Sequence, residues 1–168
     1  MEQRNRGWMQ RNADGATQPR MDADGRRWTQ MDADGGGPQV DADERRSRIN
    51  QITEKVIGCV FRVSNTLGAG FLEKVYHNAL LIELREAGLA VSPQHPISVL
   101  YKGHVVGEYF ADLLVEGLVI VEVKAVTALN EVHQAQCINY LKASGLSVCL
   151  LINFAKPKAE VRRLVRDF

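Results

Sequence analysis

Residues 110–125 read FADLLVEGLVIVEVKA. Leu113–Val115 and Leu118–Val121 have the apolar, β-branched character of two buried strands, joined at Glu116–Gly117. Yet the same stretch carries Asp112, Glu122 and Lys124. An ionised group left unpaired in an apolar setting is expensive, so buried charges are normally paired, metal-bound or neutralised. Side chains two apart in a strand share a face, which sends Glu122 and Lys124 the same way. Asp112 depends on the turn. A two-residue turn at Glu116–Gly117 would set it opposite Val121, on the other face from Glu122. A three-residue loop over Val115, Glu116 and a left-handed Gly117 pairs Leu114 with Leu118 and brings Asp112 to the side of Glu122. If the two acids act together, the loop has three residues.

On either side of this hairpin the chain alternates between helical and extended patterns. Ile49, Ile52, Val56, Val60, Val63 and Leu67 recur at helical spacing, with Ser47 placed as a cap. Leu67–Gly70 interrupts, and a second helix is expected over Phe71–Ala87, closed by Gly88, with Glu73 three residues into it. Extended segments follow at Val91–Tyr101 (broken by Pro93 and Pro96), Val105–Val115 and Leu118–Ala125. A third helix spans about Asn130–Ala143 and ends near Gly145, before a buried strand, Leu146–Phe154. The stretch Lys158–Arg166 reads as a basic closing helix. The order α-α-β-β-β-α-β-α predicts an α/β domain with a mixed central sheet flanked by helices.

That domain is expected to occupy residues 49–168. Residues 1–48 differ: they hold nine arginines, nine acids and no lysine, with NADG, DADG, DADG and DADE recurring at steps of ten, ten and nine. So few aliphatic residues cannot offset the entropy of ordering, and a disordered repeat-containing tail is expected. The repeats do not complete a calcium loop, because position twelve would fall on Met21, Met31 or Asp41.

With a formal net charge of +1, bulk charge alone does not bind nucleic acid, though a local basic groove remains open. Cys59, Cys137 and Cys149 have no C-x-x-C spacing and fit a reducing, cytoplasmic setting. No apolar run approaches the ~20 residues needed to span a bilayer, and the first ten residues lack a secretory pattern.

Two carboxylates and a lysine gathered at a sheet edge are what phosphodiester hydrolysis requires. Carboxylate oxygens can hold Mg²⁺ while leaving positions for water and phosphate, and the lysine can orient water or stabilise developing charge. Asp112, Glu122 and Lys124, read as D-x9-E-x-K across a hairpin, resemble the signature of the PD-(D/E)XK nuclease superfamily, whose core is restriction-endonuclease-like. Gly70, Glu73 and Tyr76 match the motif that names the GxxExxY branch. Gln136 and Tyr140 match a Q-x-x-x-Y helix of RecB-like members. The resemblance covers roughly Ile49 to Val165; Ala111 stands where the signature has proline.

The resemblance implies that Asp112 and Glu122 bind Mg²⁺, or Mn²⁺ in its place, with the Val123 carbonyl as a further ligand. It implies that Lys124 is catalytic and that Glu73 is a helix-borne acid facing the site, a further candidate ligand. Gln136 and Tyr140, four apart on one helical face, would complete the catalytic set. The function expected is a Mg²⁺-dependent nuclease hydrolysing DNA, with nucleic acid as partner and a homodimer among the open oligomeric states. The alternative is a catalytically silent nuclease fold that binds nucleic acid or a protein. A nucleotide enzyme ranks below both, since Gly68–Gly70 lacks a phosphate-binding loop.

Each residue also has a plainer reading. Glu73 suits a helix N-terminus by charge alone. Tyr76 suits a partly buried core position. Lone histidines such as His77 and His133 are usually structural. The basic end, Lys156, Lys158, Arg162, Arg163 and Arg166, fits a solvated helix as well as a phosphate grip.

Overall fold

The computed structural model describes residues 42–166. Their elements are helices α1 (Ala42–Leu67) and α2 (Glu73–Glu86), strands β1 (Val91–Tyr101), β2 (His104–Val115) and β3 (Val119–Lys124), helix α3 (Glu131–Ser144), and strands β4 (Val148–Asn153) and β5 (Glu160–Val165). The five strands form one sheet in the order β1-β2-β3-β4-β5. β3 and β4 run parallel and every other neighbour pair is antiparallel. The architecture is therefore the mixed α/β sheet that the element pattern predicts. Among the described residues no helix is long and apolar enough to cross a membrane. The repeat region before residue 42, expected as a disordered tail, lies outside the described residues.

Alternation along β3 and β4 explains how the layers form. Val119, Val121 and Val123, with Val148, Leu150 and Ile152, face a core shared with Val56 and Val60 of α1 and Tyr76, Leu80 and Leu84 of α2. Ile120, Cys149 and Leu151 face the opposite way, into a second core with Cys137, Tyr140 and Leu141 of α3. Strands covered on both faces read as continuous apolar runs, as these do. Glu122 and Lys124 follow Ile120 at two-residue steps, so they belong to the α3 face.

Local signals set most boundaries. Asn130 caps α3, its side chain accepting the His133 N–H while the His133 ring accepts the Asn130 N–H. Gly145 closes the helix at φ +73°. The hairpin loop has three residues, but they are Glu116, Gly117 and Leu118, one later than predicted, because Val115 pairs with Val119 and Leu114 with Ile120. Glu116 and Gly117 both take positive φ, +54° and +66°, and the Leu118 N–H closes the turn on the Val115 carbonyl. Moving the partner of Leu114 from Leu118 to Ile120 is a step of two residues, so the face of each side chain is unchanged.

Three further expectations are corrected. Helix α1 begins at Ala42, so Ser47 lies inside it and does not cap it. Glu73 is the first residue of α2, not the third, because Leu72 is still extended. Lys158–Arg166 is no helix: residues 160–165 form β5, pairing with β4 from Val148↔Val165 to Asn153↔Glu160. The open edge of the fully buried β4 needed a partner, and that demand outweighs the helical spacing of Val161, Leu164 and Val165.

Candidate active site

β2 and β3 bring Asp112 and Glu122 level across the hairpin. The ladder pairs Leu113 with Val121 and goes no further. Beyond it, Asp112 Oδ2 accepts the Val123 N–H at 2.8 Å, a side chain replacing a strand partner. Gln94 Nε2 donates to the other oxygen, Oδ1, at 3.4 Å. Glu122 is 2% exposed. Its Oε1 accepts Lys124 Nζ at 2.8 Å, whereas its Oε2 is buried without a hydrogen-bond partner.

A buried carboxylate oxygen without a donor is costly, and the electrostatics reflect it. Burial, reinforced by the charge of Asp112 and only partly opposed by Lys124, pushes the Glu122 carboxyl up to about 7. For Lys124, burial works against the charged form, but the hydrogen bond and charge of Glu122, followed by Glu73 and Asp112, outweigh it and raise its pKa. Tyr140 is pushed up to about 12, first by burial and then by the charge of Glu122, against the opposing Gln136 hydrogen bond.

Glu73 reaches the same neighbourhood from α2. It is exposed and lines a cleft of about 440 Å³ together with Lys74, His77, Asn78, Gln94 and Asp112. Its charge is among those acting on Lys124. Tyr76 does not orient it. That ring is fully buried and stacks on Phe154 at 4.7 Å, while its hydroxyl donates to the Gly68 carbonyl at 2.8 Å and accepts the Phe71 N–H at 3.1 Å. Tyr76 therefore fastens the loop that delivers α2, and Gly70 turns that loop at φ +110°.

Gln136 and Tyr140 lie on the α3 face and engage each other. Gln136 Nε2 donates to the Tyr140 hydroxyl at 2.6 Å, and that hydroxyl donates to the Phe110 carbonyl at 3.2 Å, two residues before Asp112. The pair ties α3 to β2 beside the acids. His133 is spent on the α3 cap. His77 is not: its Nε2 lies 3.2 Å from the Asp112 carbonyl. The basic end is largely engaged elsewhere. Lys156 and Arg162 both bind Glu160, Arg163 donates to Asn50, Arg166 to the Leu141 carbonyl, and Lys158 sits over the Phe61 ring.

The sequence singles out Asp112, Glu122, Lys124, Glu73, Gln136 and Tyr140, and all six fall around this one region. It does not single out Lys74, Asn78 or Gln94. Lys74 and Asn78 were findable, since they follow Glu73 and His77 directly on the same turns of α2. Gln94 carried one hint, its place between Pro93 and Pro96.

Among the described residues no three His, Cys, Asp or Glu side chains converge as a ready-made metal cage. The donor set fits a hard divalent cation nonetheless. Two carboxylates stand close enough to act on each other's charge, and one of their oxygens is buried and unsatisfied. Oxygen ligands of this kind, completed by water and phosphate, are how magnesium is commonly held.

Comparison with curated proteins and with solved structures returns no match. The family model of the PD-(D/E)XK nuclease superfamily matches residues 50–164, from within α1 into β5 and through every acid of the site, and the chain belongs to that superfamily.

Proposed function

We propose that this domain is a Mg²⁺-dependent nuclease that hydrolyses phosphodiester bonds in DNA, of the GxxExxY branch, with Mn²⁺ able to substitute. The observation that carries the reading is the unpartnered Glu122 Oε2, buried beside Asp112 on the face that also holds Lys124. Asp112 and Glu122 would hold the ion, with the Val123 carbonyl and Glu73 as further ligands. When bound, the metal would polarise a phosphoryl oxygen and acidify a coordinated water.

The chain's own residues do the rest. The Val123 N–H holds Asp112 Oδ2 in place, so that carboxylate is oriented before any ligand arrives. Lys124 keeps its proton because acids surround it, and the ammonium stands ready to orient the attacking water or stabilise charge on the phosphoryl oxygens. Gln136 and Tyr140 fix the distance between α3 and β2; the Tyr140 ring is buried, so of the two only the half-buried Gln136 amide is open to a substrate backbone. The three motif residues of the branch have separable tasks that support the assignment: Gly70 turns the chain, Glu73 opens α2 at the cleft, and Tyr76 fastens the turn.

Plasmid nicking tests the reading. Purified protein with Mg²⁺ or Mn²⁺ should convert supercoiled DNA to nicked or linear forms, and Asp112→Ala or Lys124→Ala should reduce the rate at least ~100-fold. Equal rates for wild type and Lys124→Ala would refute the catalytic assignment. DNA binding with no turnover in any divalent metal would assign the domain as a silent binding module instead.

A further inference from the structure

Gln94 has a backbone conformation that its residue type does not favour. It lies within β1 at φ +47°. Left-handed residues other than glycine are uncommon, with Asn and Asp enriched because their short side chains compensate locally; Lys102 and Glu116 also adopt the region here, but in the turns that follow β1 and β2, whereas Gln94 does so inside a strand. Glutamine has no such local compensation. Pro93 before it and the His95–Pro96 pair after it hold their own backbone to extended or fixed φ, so the deviation is confined to one residue. Strain of this kind persists where the surroundings over-determine it, and it concentrates at functional sites.

What the strain accomplishes is visible across the hairpin. β1 and β2 pair Pro93 with Leu113 and His95 with Ala111, and the position between them sets Gln94 against Asp112 without a ladder pair. Gln94 Nε2 donates to Asp112 Oδ1 at 3.4 Å. Asp112 Oδ2 is already held by the Val123 N–H at 2.8 Å, and the Asp112 carbonyl meets His77 Nε2 at 3.2 Å. The carboxylate is thus held closely at Oδ2 from β3 and met at Oδ1, by a longer contact, from β1. Each oxygen retains further acceptor capacity. Glycine would meet the backbone need at lower cost but would leave Oδ1 unheld.

We propose that Gln94 is a positioning residue, held in a left-handed kink of β1 so that its side-chain amide orients the Asp112 carboxylate toward the site it shares with Glu122. The proposal rests on the metal-binding reading of that pair. Gln94 acts through Asp112 on the ion, as hydrogen-bonding partners of metal ligands commonly do, where their loss lowers affinity 10- to 100-fold.

The test compares the full chain with Gln94→Gly, which accepts the kink and removes the amide. Calorimetric titration with Mn²⁺ should show affinity at least ~10-fold weaker in the variant, while the metal-free unfolding temperature stays at or above that of wild type. Unchanged Mn²⁺ affinity overturns the proposal. So does a parallel loss of affinity and metal-free stability, which would mark Gln94 as structural only. If wild type itself takes up no Mn²⁺, the metal reading of the acid pair falls, and crystal structures of the two proteins decide the role of Gln94. An Asp112 carboxylate turned away from the Val123 N–H in the variant supports positioning; an unmoved one overturns it.

Discussion

Replacing Glu122 by Gln should remove a pH-dependent instability from the metal-free protein. The carboxyl titrates at about 7 in the fold against an ordinary value of 4.5. At ~1.4 kcal/mol per pH unit this corresponds to about 3 kcal/mol. Between those values the folded chain retains a proton that the unfolded chain has released. Stability therefore falls as pH rises through the window, is level below 4.5, and is level again above 7. Glutamine cannot titrate, so the stability of wild type minus that of Glu122→Gln should drop by about 3 kcal/mol from pH 4.5 to pH 8. Taking the difference cancels acids common to both proteins, such as Glu160, whose pKa its neighbours Arg162 and Lys156 lower. The slope is also the better quantity than the level, because glutamine cannot keep the Lys124 ion pair. Urea unfolding of both proteins in a chelator, at half-unit pH steps, supplies the measurement. A difference that is flat, or that grows with pH, would refute the argument that Glu122 is ionised against a burial penalty. With Mn²⁺ at about a hundred times its dissociation constant, wild type at pH 8 should instead gain roughly 2.7 kcal/mol.

Three further substitutions probe how the scaffold holds the site. Tyr76→Phe keeps the stack on Phe154 but deletes the hydroxyl that serves Gly68 and Phe71; it should cost about 1–2 kcal/mol by chemical denaturation, and no loss would show that the loop holds without it. Asn153 is fully buried at the end of β4, where its amide serves the Val126 N–H and carbonyl and the Ala155 N–H. Asn153→Ala should cost about 3 kcal/mol, and a value under about 1 kcal/mol would mean water replaces the amide. Gly117→Ala places a side chain at φ +66° and should destabilise by roughly 1 kcal/mol, read as a lower thermal midpoint.

Much of the site was legible because its logic is local. Two-residue periodicity put Glu122 and Lys124 on one face, and the demand that Asp112 join them required a three-residue loop, which is found. The stop at Gly145 and the helical stretch before it gave α3, and with it the placement of Gln136 and Tyr140, although Asn130 caps that helix and does not begin it. What failed was decided at long range. Residues 158–166 carry a spacing compatible with a helix, and only the open edge of β4, settled elsewhere in the chain, makes them a strand. For Gln94 the flanking Pro93 and Pro96 were the one hint of an irregular strand, but its own residue type gave none, since glutamine marks neither turns nor left-handed backbone. Which of the two histidines mattered was equally hidden: His133 closes a cap, whereas His77 reaches Asp112 from another element.

Whether Asp112 and Glu122 share a cation can be read from a crystal soaked in Mn²⁺ and measured for anomalous scattering. One strong peak is expected between the carboxylates, within ~2–2.5 Å of an Asp112 oxygen and of Glu122 Oε2, with Oε2 no longer unpartnered. A peak elsewhere, or none while both carboxylates keep their present hydrogen bonds, would contradict it.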